Sequence, residues 1–460
     1  MAAVWTDENK FKKWLEVELA VLRVRERRGE LPDGTTEEIA KATCEESNVA
    51  DVINHRERAI GHDLNAFIEV MRALIINAAH YPRCFNGVRS LIPHPNLIEE
   101  ALAFGHPKKL DAIFHEGMTS YDTEEPAMSL LFFEADGIIF EGIKHLKDVL
   151  LALAAKHRGQ VMIGRTHGQW AQPVTFGKRC LDWLDMIDRA ETRLSESAED
   201  ARVMKLSGAV GFYGTLDPDV EILVAEELYL EVAEIATQII PLDRRAAHIG
   251  SLAELAAVIE KIARDLWLLS QSEVGEVRES FGKKQKGSSA MPHKKNPITL
   301  EKLFGLPRLI RAYAHVMLEN VATAHERDIS HSSVERIAVP DAYGLTDHML
   351  RQLGRVLEGL DVFPDRMAEN IAATQGTFAS QEVRDLLGRK GMPGEDAYRI
   401  VQRACFIAMQ SRTPLKQLLL ANDEFASAAA LLRDDPEFER LFDPAWWVRN
   451  EAVYYQRFGL

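Results

Sequence analysis

The chain has 460 residues, 46% of them hydrophobic and 27% charged, the balance of a globular protein with a sizeable core. Its formal net charge of −15 excludes a generally basic, nucleic-acid-binding surface. Met1–Asp7 lack the basic, apolar and small-residue order of a signal peptide, and no apolar run approaches the roughly 18 residues that span a bilayer. Cys44, Cys84, Cys180 and Cys405 show no metal-type spacing. Together these features predict a cytoplasmic protein with reduced thiols and no membrane contact.

In chain order, Phe11, Leu15, Leu19 and Leu22 recur every three or four residues behind Thr6, Asp7 and Glu8, with Gly29 as the stop. That pattern predicts an amphipathic helix with sensible ends. Residues 35–125, broken by prolines at 82, 93, 95 and 107, predict shorter helices joined by loops. After Pro126, Ile139, Ile143, Leu146, Leu150 and Leu153 mark a long helix ending near Gly159. Thr175–Ala198 gives a second, with Phe176, Cys180, Trp183 and Ile187 on one face, and Leu252, Leu255, Ile259, Ile262, Leu266 and Leu269 mark a third. Thr299–Asn320 and Asp341–Leu360 follow, with a kink expected at Pro307.

Alternating, strand-like segments are almost absent, so the predicted class is all-α, with long helices packed as a bundle. The expected division is an N-terminal helical domain at 1–125, a central long-helix domain at 126–375 and a C-terminal helical cap at 376–460. The run LLFFEADGIIF at 130–140 is apolar over much of its circumference, which predicts burial between subunits.

Residues 283–297, KKQKGSSAMPHKKNP, stand apart from all of this. They carry no apolar periodicity. Gly287 frees the backbone, Pro292 and Pro297 bar helix, and lysines crowd a loop in an otherwise acidic protein. Such a loop predicts an anionic ligand and a lid or clamp function.

GSSAMPHKKNP also resembles the signature loop of the fumarase/aspartase superfamily, whose members eliminate fumarate from substituted succinates. The form with Met-Pro-His-Lys is similar to the branch acting on succinylated purine nucleotides. The resemblance extends over nearly the whole chain. It implies a small-molecule substrate, anti β-elimination without a metal or organic cofactor, and a homotetramer. In that superfamily the central helices form a twenty-helix core, and three subunits contribute to each active site.

Residue by residue, the resemblance implies Ser288 as the base, followed by Ser289, with Lys294 and Asn296 binding substrate. GRTHGQWAQP at 164–173 is similar to a second block and implies His167 as the general acid, with Glu301 orienting its imidazole. Only imidazole is both acid and base near neutrality, which suits that role. His62 and Asp63 in GHDLNAF, and His115, Thr119 and Ser120 in FHEGMTSYD, match further substrate-binding blocks. Gln238 matches a substrate contact, and SGAVG at 207–211 a block of small residues that permits close packing. In HERDISHSSVER at 325–336, Arg327, Ser332 and Arg336 match contacts to a nucleotide and its phosphate, where arginine forks fit bidentately.

The chain departs from that pattern in four places. No Arg-Tyr pair precedes Trp5, Leu242 stands where related chains often have arginine, Lys302 replaces an asparagine, and the stretch around Arg83–Lys109 is longer. These differences touch nucleotide recognition more than elimination. They leave a second expectation, a related lyase or cycloisomerase acting on another N-substituted aspartate or a carboxymuconate-type acid.

Overall fold

A computed structural model of the chain describes residues 1–43, 49–80, 98–282 and 287–460. Cys44, Cys84, the prolines at 82, 93 and 95, Lys283, Lys284 and Lys286, and positions 83–97 of the longer stretch lie outside the described residues.

The architecture is all-α. Helix α1 (Asp7–Arg27) begins where Thr6 Oγ accepts the Asn9 N–H at 3.2 Å, an N-cap followed by acidic residues that suit the positive helix end. The shorter helices α2 (Thr35–Thr43), α3 (Val49–Ile60), α4 (Asp63–His80), α5 (Ile98–Phe104) and α6 (Leu110–Ile113) follow.

Helix α7 (Ser120–Lys156) is 37 residues long and starts ahead of Pro126, not after it. At its start the Thr119 N–H donates to Asp122 Oδ2 at 2.9 Å, so a first-turn carboxylate takes one of the exposed backbone donors. Pro126 removes one backbone bond without ending the helix. A hairpin of β1 (Val161–Thr166) and β2 (Gln169–Thr175) comes next, antiparallel and with a register shift between Ile163 and Arg165. The sequence pattern did not foretell it, because Gly164, Gly168 and Pro173 interrupt any alternation.

The remaining long helices are α8 (Phe176–Ala201) and, after α9 (Pro218–Leu228), α10 (Asp243–Leu269). The helix expected at 299–320 is two, α11 (Ile298–Gly305) and α12 (Pro307–Asn320). Pro307 opens the second rather than kinking a single one, since its ring favours the first helical position. Helix α13 (Ser330–Glu358) begins before the expected Asp341 and carries Pro340 inside it. The C-terminal section contains α14 (Pro364–Ala373), α15 (Ser380–Arg389), α16 (Gly394–Ser411) and several shorter helices.

The chain forms two compact units. The first comprises Met1–Glu141, Thr192–Glu254 and Leu309–Asp347. Its core holds Phe11, Trp14, Phe67 and Phe114 in mutual edge and stacked contacts, surrounded by Val17, Leu64, Leu74 and Met204. The second comprises Gly142–Glu191, Leu255–Arg308 and His348–Leu460. There, Ile163 of the hairpin packs with Ile371, Val383, Leu387, Leu415 and Phe438. No helix among the described residues is long and apolar enough to cross a membrane.

Candidate active site

The second unit holds Ser288, Ser289, Lys294, Asn296, Glu301 and His167. Gly287 is the pivot of the lysine-rich loop: a Cβ there would lie 2.0 Å from the Lys294 carbonyl oxygen, so only glycine permits the two limbs to close. Asn296 Nδ2 clasps them by donating to the Gly287 carbonyl at 2.8 Å. Ser288 Oγ then accepts the backbone N–H of Met291 at 3.1 Å and that of Ala290 at 3.3 Å. Ser289 and Lys294 are exposed, whereas Asn296 is half-buried. Behind the loop, a cavity of about 190 Å³ is lined by Glu279, Phe281, Lys295, Asn296 and Pro297 among others. Glu279 anchors the far limb, its carboxylate accepting the backbone N–H of Thr299 at 3.1 Å and of Leu300 at 3.3 Å at the start of α11. Glu301 lies exposed in the first turn of that helix.

His167 and Gly168 form the tip of the β1–β2 hairpin with φ of 53° and 74°. Positive φ at both central residues makes the tight turn whose twist matches the flanking strands. His167 is thereby exposed, and its ring has no polar partner among the described residues. Two residues earlier, the Arg165 guanidinium grips Glu276 bidentately at 3.0 and 3.1 Å. Glu276 is fully buried and also accepts from Asn370 at 2.8 Å, so the hairpin tip stands on a fixed base.

The first unit holds His62, Asp63, His115, Thr119, Ser120, Gln238, Arg327, Ser332 and Arg336. His62 Nδ1 accepts the Asn65 N–H at 3.3 Å, which leaves Nε2 as the protonated nitrogen of the neutral ring. Asp63 is buried and paired with Arg336 at 2.6 Å. His115 sits at φ 63° with Nδ1 2.7 Å from Glu18 Oε1, and Thr123 donates to the same oxygen at 2.6 Å. The carboxylate fixes Nδ1 as the donor and frees Nε2.

Three sequence blocks meet at a buried ion pair. Lys205 Nζ lies 2.8 Å from Asp122 Oδ1 and also donates to the carbonyls of Gly208 at 2.9 Å and Gln238 at 3.0 Å. Gly211, at φ 76°, packs so closely that a Cβ would meet the Ala236 carbonyl oxygen at 2.1 Å. Arg327 reaches across to the same region. It donates to Gln238 Oε1 and to the Tyr121 hydroxyl, both at 3.1 Å, and stacks 4.0 Å over the Tyr121 ring.

Ser332, Arg336 and Asp63 line a cavity of about 250 Å³ together with Trp5, Tyr121, Glu124 and Arg245. Arg245 is buried between Glu125, in a very short contact, and Glu335 at 3.1 Å. Burial pushes the Glu335 carboxyl up, but the charges and hydrogen bonds of Arg245 and His331 together outweigh it and hold it below the usual range. Glu125 is left raised by its burial. Burial, with the Asp63 charge second, pushes the Glu124 carboxyl up to about 8. Among the described residues no group of three or more His, Cys, Asp or Glu is placed to hold a metal ion.

Sequence reasoning overlooked Glu18, Glu124, Lys205, Arg245 and Glu335. The available signal was a lone charge inside an apolar run, as with Lys205 between Met204 and Leu206. Leu242, in place of an expected arginine, is buried against Tyr121 and Ile239. Lys302 is exposed on α11.

An all-α chain with a serine-bearing cationic loop, a histidine on a separate hairpin and a nest of hydroxyls and arginines belongs to the lyase class of the fumarase/aspartase superfamily; a family model described as "Lyase" matches residues 1–310. A second model, "Adenylosuccinate lyase C-terminus", matches residues 376–458. The chain is 36% identical to adenylosuccinate lyase of Aquifex aeolicus, over 99% of this chain and 96% of that one. It is 38% identical to adenylosuccinate lyase of Thermotoga maritima, over 100% and 97%. A crystal structure of a fumarate lyase from Mesorhizobium sp. BNC1 superposes with a TM-score of 0.81 at 26% identity, over 99% of this chain and 96% of that one. The chain belongs to the adenylosuccinate lyase family.

Proposed function

We propose that the chain cleaves adenylosuccinate to AMP and fumarate, and treats the succinylated carboxamide ribotide of purine biosynthesis in the same way. Ser288, as its alkoxide, removes a proton from the carbon beside a succinyl carboxylate. The freed electron pair becomes the fumarate double bond as the C–N bond breaks, and His167 gives its proton to the departing nitrogen. No metal or organic cofactor takes part in this scheme.

The observation that carries the reading is the pair of backbone N–H groups held on Ser288 Oγ by the Gly287 turn. Hydrogen bonds to an oxygen favour its charged form, which lowers the cost of ionising a poor base. Lys294 adds positive charge, Glu301 orients His167, and Asn296, Ser289, Thr119, Ser120, His62, Asp63, His115 and Gln238 hold the succinyl and purine portions. Arg327, Ser332 and Arg336 receive the phosphate.

The active unit in this reading is a cytoplasmic homotetramer of chains with domains 1–125, 126–375 and 376–460, sharing each site among three subunits. What supports subunit contact is exposed apolar surface, with Phe133 at 61%, Leu318 at 60% and Ile337 at 63% exposure.

Ser288→Ala and His167→Gln test the roles. Each is expected to lower fumarate release by about 10²–10⁴ while leaving substrate binding in place. Turnover of Ser288→Ala within about tenfold of the wild type refutes the base assignment. Mixing the two variants is expected to restore part of the activity if subunits share sites.

A further inference from the structure

The charged groups lining the 250 Å³ cavity of the first unit are paired, with one exception. Asp63 holds Arg336 at 2.6 Å, Asp7 lies 3.5 Å from Lys10, and Arg245 is shared by Glu125 and Glu335. Glu124 has neither a hydrogen bond nor an ion pair among the described residues. It lies one helical turn beyond Ser120 on the same face of α7. Trp5 lines the same cavity, and its indole N–H is buried without an acceptor. A buried donor without a partner is costly, and the Ser332 hydroxyl and Arg336 guanidinium add further donors on this wall. Trp5, Ser332 and Arg336 can therefore donate to a group with several acceptor oxygens, while the lining carboxylates other than Glu124 are already paired with cations.

We infer that Glu124 decides which charge state of the protein admits an oxyanion here: as a carboxylic acid it donates to the anion beside Ser332 and Arg336, and as a carboxylate it expels it. The inference rests on placing the substrate's phosphate at those two residues. The groups facing Glu124 make its protonation responsive. Asp63 comes from α4, Asp7 and Lys10 from α1, Arg245 from α10, Arg336 and Glu335 from α13, Arg327 from the segment before α13, and Tyr121 and Glu125 from its own helix. Burial is the largest influence and the Asp63 charge the next, and they outweigh Arg327 and Arg336 to hold the carboxyl up at about 8. An anion that binds only the acid form loses about tenfold in affinity between about pH 7 and pH 9.

Sulfate is the probe, because its own charge does not change across that range. Calorimetric titration of the full chain with sulfate is expected to show the tenfold decline. Glu124→Gln keeps an N–H donor without ionising and is expected to bind sulfate equally at both pH values. Asp63→Asn removes the neighbouring charge and is expected to move the decline to lower pH. Arg336→Met is expected to abolish binding, which assigns the titration to this cavity. A wild-type profile as flat as that of Glu124→Gln, an unchanged decline in Glu124→Gln, or no sulfate binding at pH 7 overturns the inference. Sulfate binding requires no turnover, so failure to cleave adenylosuccinate alongside the expected titration sinks the proposed function and not the role of Glu124. Cleavage alongside a flat titration does the reverse.

Discussion

Gly287 allows the loop geometry to be perturbed without removing a reacting group. In Gly287→Ala the new Cβ would sit 2.0 Å from the Lys294 carbonyl oxygen and 3.1 Å from the Phe281 ring, whereas real Cβ atoms essentially never approach below 3.0 Å. The two limbs must therefore part by about 1 Å, and the 2.8 Å bond from Asn296 to the Gly287 carbonyl is the first to give way. Ser288 is the next residue, so its hydroxyl moves with the displaced limb. A misplacement of about 1 Å at a reacting group costs about 10²-fold in rate. Gly287 is itself buried, so relieving the clash is expected to lower stability to urea by about 1–3 kcal/mol. The assay is the initial rate of fumarate release across substrate concentration, paired with urea denaturation. A kcat within threefold of the wild type, with an unchanged urea midpoint, refutes the idea that the closed turn positions Ser288.

Arg245→Met leaves Glu125 and Glu335 buried without their shared cation, and urea denaturation at neutral pH is expected to register a loss of about 3–5 kcal/mol. Glu124 gives a stability signature with a definite sign. Its folded-state pKa of about 8 exceeds the ordinary glutamate value of 4.5, so the native state holds an extra proton between those limits, and stability falls as pH rises through that window. Glu124→Gln is therefore expected to melt higher than the wild type at pH 9 and to lose that advantage near pH 4, read by thermal melts at each pH. Arg165→Lys cannot reproduce the bidentate grip on Glu276 beneath the His167 hairpin. It is expected to lower kcat about tenfold with a smaller change in KM, as steady-state rates will report.

How much of this was legible in the sequence depends on whether a feature is local. Helix α1 could be read because its stripe, its Thr6 cap and its acidic first turn all lie within a few residues of one another. The loop at 283–297 could be read because glycine, proline and lysine there disagree with everything around them. Pro126 misled because a proline's local cost of about 3 kcal/mol can be outweighed by the packing of a long helix on both sides, as Pro340 inside α13 also shows. The β1–β2 hairpin was illegible because Gly164, Gly168 and Pro173 break the alternation of its strands, and the positive φ at His167 is a property of the folded turn. Glu18 beneath His115 was equally hidden: the two are 97 positions apart, and no pattern in one segment reports a partner in another.

The Lys205–Asp122 pair shows why such hidden partners matter. An ammonium and a carboxylate with exposures of 1% and 0% are a poor source of stability, since desolvation offsets most of their attraction. Here each is almost fully coordinated. The amine meets Asp122 and the carbonyls of Gly208 and Gln238, while Asp122 also accepts the N–H groups of Thr119 at 2.9 Å and Gly208 at 3.1 Å. Its contribution is therefore to register. It ties the start of α7, the glycine loop at 207–211 and the segment bearing Gln238 into one arrangement, and any slip of one segment past another strands a buried charge. A hydrophobic contact of the same size would tolerate that slip. The proposed succinyl recognition by these segments requires hydroxyls and amides from distant parts of the chain at fixed separations, which a satisfied buried ion pair supplies where apolar packing cannot.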